Sequence, residues 1–429
     1  MTSLLKTLTL GCKVNQYETQ LVREGLLSIG YRDAEGETPA DLCVVNTCTV
    51  THEGDAKSRQ AIRRLHRQNP HARIVVMGCY ATRAPDEVRQ LPGVSEVILD
   101  KRELPDWLGR HGVIDVPRGV SRLDRHARAF VKVQDGCLLR CSYCIIPHVR
   151  PTMHSRPLGE IVDEIKGMVD RGVREVVLTG IHLGHYGVDF NAGRPKQEWT
   201  QLVHLLRALV RLPGAFRIRL SSIEATEVSR ELIDVMGEHA SRICPHLHIC
   251  LQSGSDEILR RMRRRWGVKR FVDRCRLVQE SLDLPAITTD VIVGFPGETA
   301  SDFEQTLDVC ATIGFSKIHM FPYSPRRGTP AAAMSGQVSA AEKSRRIAEL
   351  TAVELKLRRQ YFDRLLGIRL QVLIEGHVGG RAQGTSCRYA TVELPSAPVG
   401  SLVEVQPTGS RDDRILADFV PSPTRQSHV

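Results

Sequence analysis

The sequence contains no run approaching the roughly 18 apolar residues that a membrane-spanning helix needs. Its start, MTSLLKTLTLGCKVNQ, lacks a basic stretch, a long apolar stretch and a small-residue cleavage site. No secretory signal is read, and a cytoplasmic location with no membrane partner is expected. A reducing cytosol excludes structural disulfides as the use of the 12 cysteines. Disorder is excluded too, because 41% of the residues are hydrophobic. The 429 residues amount to two to four domains at roughly 100–200 residues each.

What is present is cysteine and positive charge. The net charge is +10. Residues 1–115 hold 15 basic and 15 acidic side chains, residues 116–339 hold 31 and 24, and residues 340–429 hold 13 and 10. The excess is confined to the middle and the end, which points to a polyanionic partner there.

The first hundred residues alternate apolar runs with helical spacing. The runs are LKTLTLG (5–11), ADLCVVNT (40–47) and RIVVMG (73–78), with helices expected over 18–29 and 55–68. Strand–helix alternation predicts a parallel α/β sheet. A polar, basic linker is expected from 117 to 128. Six further strands are then expected at 130–136, 174–180, 216–222, 246–254, 287–295 and 316–324. Helical patterns at 158–171, 198–212, 255–265, 269–282 and 300–313 separate them, which predicts a partial (βα)6 barrel. A long basic helix is expected over 341–366. From Gly367 the pattern becomes short alternating strands (RLQVLIEG, CRYATVEL, SLVEVQPT, RILADFV) that no helix fits, a small all-β barrel. A frayed tail is expected at the end.

The cysteines sort into two uses. Cys137, Cys141 and Cys144 stand in GCLLRCSYC with C-x3-C-x2-C spacing, at the carboxyl end of the first strand of the six-strand array. Three thiolates in eight residues can hold three corners of a cubane iron–sulfur cluster and leave one iron open. No fourth Cys or His completes a local tetrahedral zinc site. Cys12, Cys48 and Cys79 each follow an apolar strand, at spacings of one strand–helix unit. Two readings stand for them: buried thiols near strand ends, or a second cluster with an open iron. Gly11 and Gly78 favour the second, because backbone beside a cluster benefits from residues without a side chain. Cys43, Cys244, Cys250, Cys275, Cys310 and Cys387 are read as core.

The C-x3-C-x2-C loop ahead of a six-unit array resembles the radical S-adenosylmethionine (SAM) superfamily. GCKVNQYET (11–19), VVNTCTVTHEGDAKSRQAIRR (44–64), VVMGCYAT (75–82), LTGIHLGHYG (178–187), RIRLSSIEATEV (217–228), HICLQSGSDEILRRMRRR (248–265), TTDVIVGFPGETASDFEQTL (288–307) and FPYSPRRGTPAA (321–332) resemble the methylthiotransferase family within it. The segment GCKVNQYET is similar to the MtaB-type members. The resemblance implies an α/β protein: a methylthiotransferase amino-terminal domain (1–115), a radical SAM core (123–353) and a TRAM RNA-binding barrel with its leading helix (356–422). It implies two 4Fe-4S clusters, held by Cys12, Cys48 and Cys79 and by Cys137, Cys141 and Cys144. SAM contacts are implied at Tyr143, Thr179, Gly180, Ser222, Glu224, Gln252 and Gly294.

The implied reaction adds a 2-methylthio group to N6-threonylcarbamoyladenosine at position 37 of tRNA. The alternatives are isopentenyladenosine in tRNA or a ribosomal protein as substrate. The implied partners are the tRNA anticodon stem-loop and a reducing electron donor, with the chain acting as a monomer. Arg260, Arg261, Arg263, Arg264 and Arg265, with Arg326 and Arg327, are read either as a solvated face or as phosphate contacts. Tyr389 is read as a base-stacking or a core aromatic. Asn15 and Gln16 are candidates for substrate choice.

Overall fold

A computed structural model describes residues 3–117, 119–121, 127–411 and 413–420. The expected tail lies outside the described residues, as do 118 and 122–126 of the expected linker.

The amino-terminal sheet has strands β1 (Leu4–Thr9), β2 (Arg32–Asp33), β3 (Leu42–Thr47), β4 (Arg73–Gly78) and β5 (Val94–Val97), in the order β2-β1-β3-β4-β5. All are parallel. β3 is LCVVNT, buried at every position, as a strand covered on both faces must be. One face packs Ile62 and Leu65 of helix His52–Gln68, and the other packs Val22 and Leu26 of helix Lys13–Ser28. Edge strands β2 and β5 are only two and four residues long, too short to show as apolar runs. The first helix begins at Lys13 rather than 18, because Gly11 at φ +96° ends the strand sharply and the chain turns at once into helix.

Six parallel strands follow: β6 (Ala129–Asp135), β8 (Glu175–Gly180), β9 (Arg217–Leu220) continued after Ser221 by β10 (Ser222–Ile223), β11 (His246–Ile249), β12 (Ala286–Val293) and β13 (Lys317–Pro322). A short antiparallel strand, β7 (His154–Ser155), flanks β6. The expected six-strand partial barrel is present. Helices Leu158–Asp170, Leu202–Leu209, Arg230–Glu238, Asp256–Arg261, Val268–Ser281 and Ala300–Ile313 pack outside it. The helix expected over 255–265 stops at Arg261, and Arg263 sits at φ +60°. That break turns Arg264 inward.

Helix Ala340–Leu365 spans both remaining units. Its Leu350 and Leu357 join the core of the array, and its Tyr361, Phe362 and Leu365 join the core of the carboxyl-terminal barrel. That barrel is closed by five strands, β14 (Leu370–Val378), β15 (Arg381–Ser386), β16 (Thr391–Leu394), β17 (Leu402–Arg411) and β18 (Arg414–Phe419), ordered β14-β15-β16-β18-β17. β15, RAQGTS, is polar along its outer face and has no apolar run to announce it. Among the described residues no helix is long and apolar enough to cross a membrane.

Buried polar contacts join the units. Arg217 and Arg219 on β9 donate to the carbonyls of Gln371, Thr385, Ser386 and Cys387 in the barrel. The described ends of the linker are fastened: Ser121 N–H donates to Glu24, and Arg128 pairs with Glu375. Tyr389 stacks on His246, with ring centroids 4.5 Å apart, and lies under Arg219. It is an interface aromatic, so the base-stacking alternative for it falls.

Candidate iron–sulfur and nucleoside site

The radical-type loop leaves β6 at Gly136, whose φ is +74°. A Cβ there would lie 2.0 Å from the Thr152 carbonyl, so only glycine allows the turn. Buried Gln134 holds the bend by donating to the carbonyls of Asp135 and Gly136 while accepting from His182 N–H. Ser142 anchors the loop from the far side: its N–H bonds the Met262 carbonyl, its hydroxyl the Arg261 carbonyl, and its own carbonyl accepts from Ala331. These bonds bring Cys137, Cys141 and Cys144 to one place at the carboxyl end of the array.

The sulfurs of Cys137 and Cys141 meet donors suited to thiolates. Leu139 N–H lies 3.4 Å from Cys137 Sγ and Arg264 Nη1 3.4 Å from Cys141 Sγ. His182 Nδ1 lies 3.7 Å from Cys137 Sγ. Burial pushes the Cys144 thiol up to about 12 and raises Cys141 despite Arg264. Thiols so buried need a cation to ionise, and an iron cluster supplies one. Burial lowers His182, but Cys137 and Glu227 outweigh it and bring the imidazole up to about 9. His185 stacks on His182 at 3.6 Å and is pushed down to about 4 by burial and by that neighbour.

A cavity of about 250 Å³ opens beside Cys141, lined by Leu139, Glu224, Glu227, Arg264 and Trp266 among others. Here Arg264 pairs with Glu224, which also accepts from Trp266 Nε1 at 3.1 Å. Sequence reasoning placed Arg264 in a run of surface arginines; its side chain is 3% exposed. Arg263 and Arg265 are exposed at the mouth of the same cavity.

The other residues expected to touch SAM ring the same strand ends. Tyr143 packs edge-on against Phe295, and Thr179 is buried on β8. Gly180 faces Gln134, which a Cβ would meet at 3.0 Å. Ser222 is exposed. Gln252, at φ +69°, continues β11 toward β12 through its backbone. The Gly294 N–H is already committed to Glu298 at 2.6 Å, leaving only its carbonyl for a ligand.

Cys12, Cys48 and Cys79 come together at the carboxyl ends of β1, β3 and β4. A Cβ on Gly11 would lie 2.9 Å from Cys48 Cβ and 3.0 Å from its Sγ, so the glycine keeps that cradle open. Gly78 answers to a different need: a Cβ there would strike Asn46 and the Thr47 backbone at 2.4 Å. Lys101 Nζ lies 3.7 Å from Cys79 Sγ. Burial raises the Cys12 and Cys48 thiols. Both sets of three, with nearby N–H and ammonium donors and glycine where bulk would intrude, fit iron–sulfur clusters.

The two sets are neighbours. Cys79 packs in one apolar cluster with Ile145, which follows Cys144, and with Val149. Arg150 completes the junction: it is buried, pairs with Glu18 and Asp135, and donates to Asn15 Oδ1 at 3.0 Å. Lys132 reaches the same two carboxylates. Asn15 is 1% exposed and spends its amide on the Leu10 and Thr47 carbonyls, so it sets the loop around Cys12 and does not face substrate. Arg326 corrects a second expectation: it is buried, bonded to Asp55 and Thr49 of the first unit, and not available to a phosphate.

A sequence model described as the radical SAM superfamily matches residues 131–310, and one described as uncharacterised protein family UPF0004 matches residues 5–100. The chain is 39% identical over 388 residues to the threonylcarbamoyladenosine tRNA methylthiotransferase MtaB of Bacillus subtilis (strain 168), covering 86% of this chain and 84% of that one. It is 36% identical to the protein of the same name from Chlamydia pneumoniae, over 97% and 98% of the two chains. It is 32% identical to the tRNA-2-methylthio-N(6)-dimethylallyladenosine synthase of Corynebacterium glutamicum (strain ATCC 13032), over 96% and 82%. Among solved structures, the radical SAM methyltransferase TsrM of Kitasatospora setae, with cobalamin and a [4Fe-4S] cluster bound, superposes with a TM-score of 0.54 at 16% identity over 77% of each chain. That likeness is one of fold.

Proposed function

The chain belongs to the MtaB-type branch of the methylthiotransferase family of radical SAM enzymes, and we propose that it adds a 2-methylthio group to N6-threonylcarbamoyladenosine at position 37 of tRNA. The observation that carries this reading is the junction at Cys79, Ile145 and Val149, where the two cysteine sets meet. A sulfur-delivering centre and a radical-generating centre have to address one carbon atom, and two sets packed against each other through Cys79 and Ile145 suit that.

Carbon 2 of adenine has no acidic proton and no leaving group, so general-base chemistry has nothing to act on. Two 4Fe-4S clusters and SAM, when bound, supply the electron, the radical and the methyl and sulfur groups. This chain supplies the rest. Cys12, Cys48 and Cys79 hold the sulfur-side cluster; Cys137, Cys141 and Cys144 hold the SAM-side one. Glu224, positioned by Arg264 and Trp266, turns a carboxylate toward the cavity beside Cys141, where it suits the ribose or amino groups of SAM. Tyr143, Thr179, Gly180, Ser222, Gln252 and the Gly294 carbonyl complete that rim. The buried Glu18–Arg150–Asp135 contacts fix the distance between the two cluster loops.

In this reading residues 1–115 deliver sulfur, residues 123–353 generate the radical, and residues 356–422 hold the RNA. Arg260, Arg263, Arg265 and Arg327 are exposed and contact backbone phosphates of the anticodon stem-loop, fixing register rather than reading sequence. The target base leaves its stack to enter the cavity. The chain works as a monomer in the cytoplasm with a separate reducing electron donor.

The test is reconstitution. Protein carrying about eight irons is given SAM, a low-potential reductant and an anticodon stem-loop with threonylcarbamoyladenosine. The proposal expects the 2-methylthio nucleoside and 5′-deoxyadenosine. One zinc per chain and no SAM cleavage would sink it.

A further inference from the structure

One cation near the site is left over by everything above. Lys13 follows cluster ligand Cys12 and opens the helix Lys13–Ser28. Its side chain reaches the six-strand array, with Nζ 6.0 Å from the centre of the Phe130 ring on β6. Among the described residues it has no hydrogen bond and no ion pair.

Its surroundings make that unusual. The charged groups acting most strongly on Lys13 are Arg128 and Arg219, both repulsive. Two groups attract it: Glu175, already held by Arg217 and Arg219, and the neighbouring cluster ligand Cys12. Arg128 is taken up by Glu375. The imidazoles of His246 and His319 lie within the field of this ammonium. A half-buried ammonium among arginines, with no ion pair among the described residues, is costly unless an anion arrives to meet it.

The substrates named for the relatives differ in one charged group. Threonylcarbamoyladenosine carries the carboxylate of threonine on N6; dimethylallyladenosine carries an uncharged hydrocarbon. In adenine, C6 and its N6 substituent lie across N1 from C2. A base with C2 at the cluster next to Cys12 therefore extends its N6 substituent several bonds away, about the reach of a lysine stem rooted one residue on. Resting on the function proposed above, we propose that Lys13 is a specificity-determining residue whose ammonium receives the threonyl carboxylate of the substrate nucleoside.

The test uses the full chain with both clusters and two stem-loop RNAs, one carrying threonylcarbamoyladenosine and one its methyl ester. The ester has nearly the same size and no charge. For the unaltered protein, kcat/KM for the acid is expected to exceed that for the ester by roughly a hundredfold, the scale of a lost buried charge pair. In Lys13→Met the acid-to-ester ratio falls to about one, and in Lys13→Arg the preference returns. Iron content is measured alongside, so that loss of a cluster is not taken for loss of recognition. A ratio near one in the unaltered protein overturns the assignment without needing any variant, as does an undiminished ratio in Lys13→Met. If the unaltered protein cleaves SAM but methylthiolates neither RNA, the substrate reading itself has failed and this inference with it.

Discussion

Arg150 and Glu18 meet through two bonds, Nη1 to Oε1 at 2.8 Å and Nη2 to Oε2 at 2.9 Å. Neither side chain is more than 3% exposed. The pair crosses from the six-strand array to the first helix and stands between the two cysteine sets. It therefore controls how the cluster loops face each other.

Removing one partner leaves the other charged and buried. Arg150→Met is expected to cost about 3–5 kcal/mol of stability, and Glu18→Gln somewhat less because an amide keeps part of the bonding. Differential scanning calorimetry of the two variants checks this. Equal melting temperatures for Arg150→Met and the unaltered chain would show that the junction is held by other contacts.

The same pair sets an acid limit. Burial alone raises Glu18, but Arg150 and Lys132 outweigh it and hold the carboxyl down at about 2. Asp135 is held below the usual carboxylate range by Lys132 and Arg150 against burial. Both folded values lie below the unfolded ones, so the stabilisation is fully present above the ordinary carboxylate range and is lost as pH falls from there toward about 2. Urea unfolding across pH 7 to 3 should show stability falling in the acid arm, with a shallower fall in Glu18→Gln. An identical slope in both proteins would contradict the assignment.

Arg264 ties Cys141, Tyr143 and Glu224 together. In Arg264→Met the Glu224 carboxylate loses its cation and the Cys141 sulfur a donor. Reductive SAM cleavage is expected to drop roughly tenfold or more, since a charge-assisted contact is lost, while iron content stays close to normal. Cleavage at the unaltered rate would remove Arg264 from the SAM rim.

Gly136 offers a test of the loop alone. Alanine there must displace the Thr152 carbonyl and adopt φ +74°. Gly136→Ala should lose the SAM-side cluster and retain the other, so iron falls from about eight to about four per chain. Full iron content would mean that the turn tolerates a side chain.

Much of this was legible from residue patterns, and the failures have physical reasons. The cysteine sets were readable because each follows an apolar run by one residue, and parallel strands end on one edge. Strands β2 and β5 were not, being too short to show a periodicity, nor was β15, whose RAQGTS has no apolar run. Arg264 and Arg326 looked like surface charge: burial of an arginine depends on partners such as Glu224 and Asp55, which lie 40 and 271 residues away in sequence. Asn15 looked like a substrate contact because it stands in the segment that distinguishes the branches of the family, yet its amide is spent closing the strand ends. Lys13 was part of the segment that singled out one branch of the family, but only the structure shows that its ammonium has no ion pair or hydrogen bond among the described residues.

The central claim is tested most directly by mass spectrometry of tRNA nucleosides from cells with and without this gene. The account predicts loss of the 2-methylthio mark on threonylcarbamoyladenosine alone, restored by the unaltered gene and not by one with Cys12, Cys48 and Cys79 replaced by alanine. Loss of the mark on isopentenyladenosine instead, or an unchanged nucleoside profile, would contradict it.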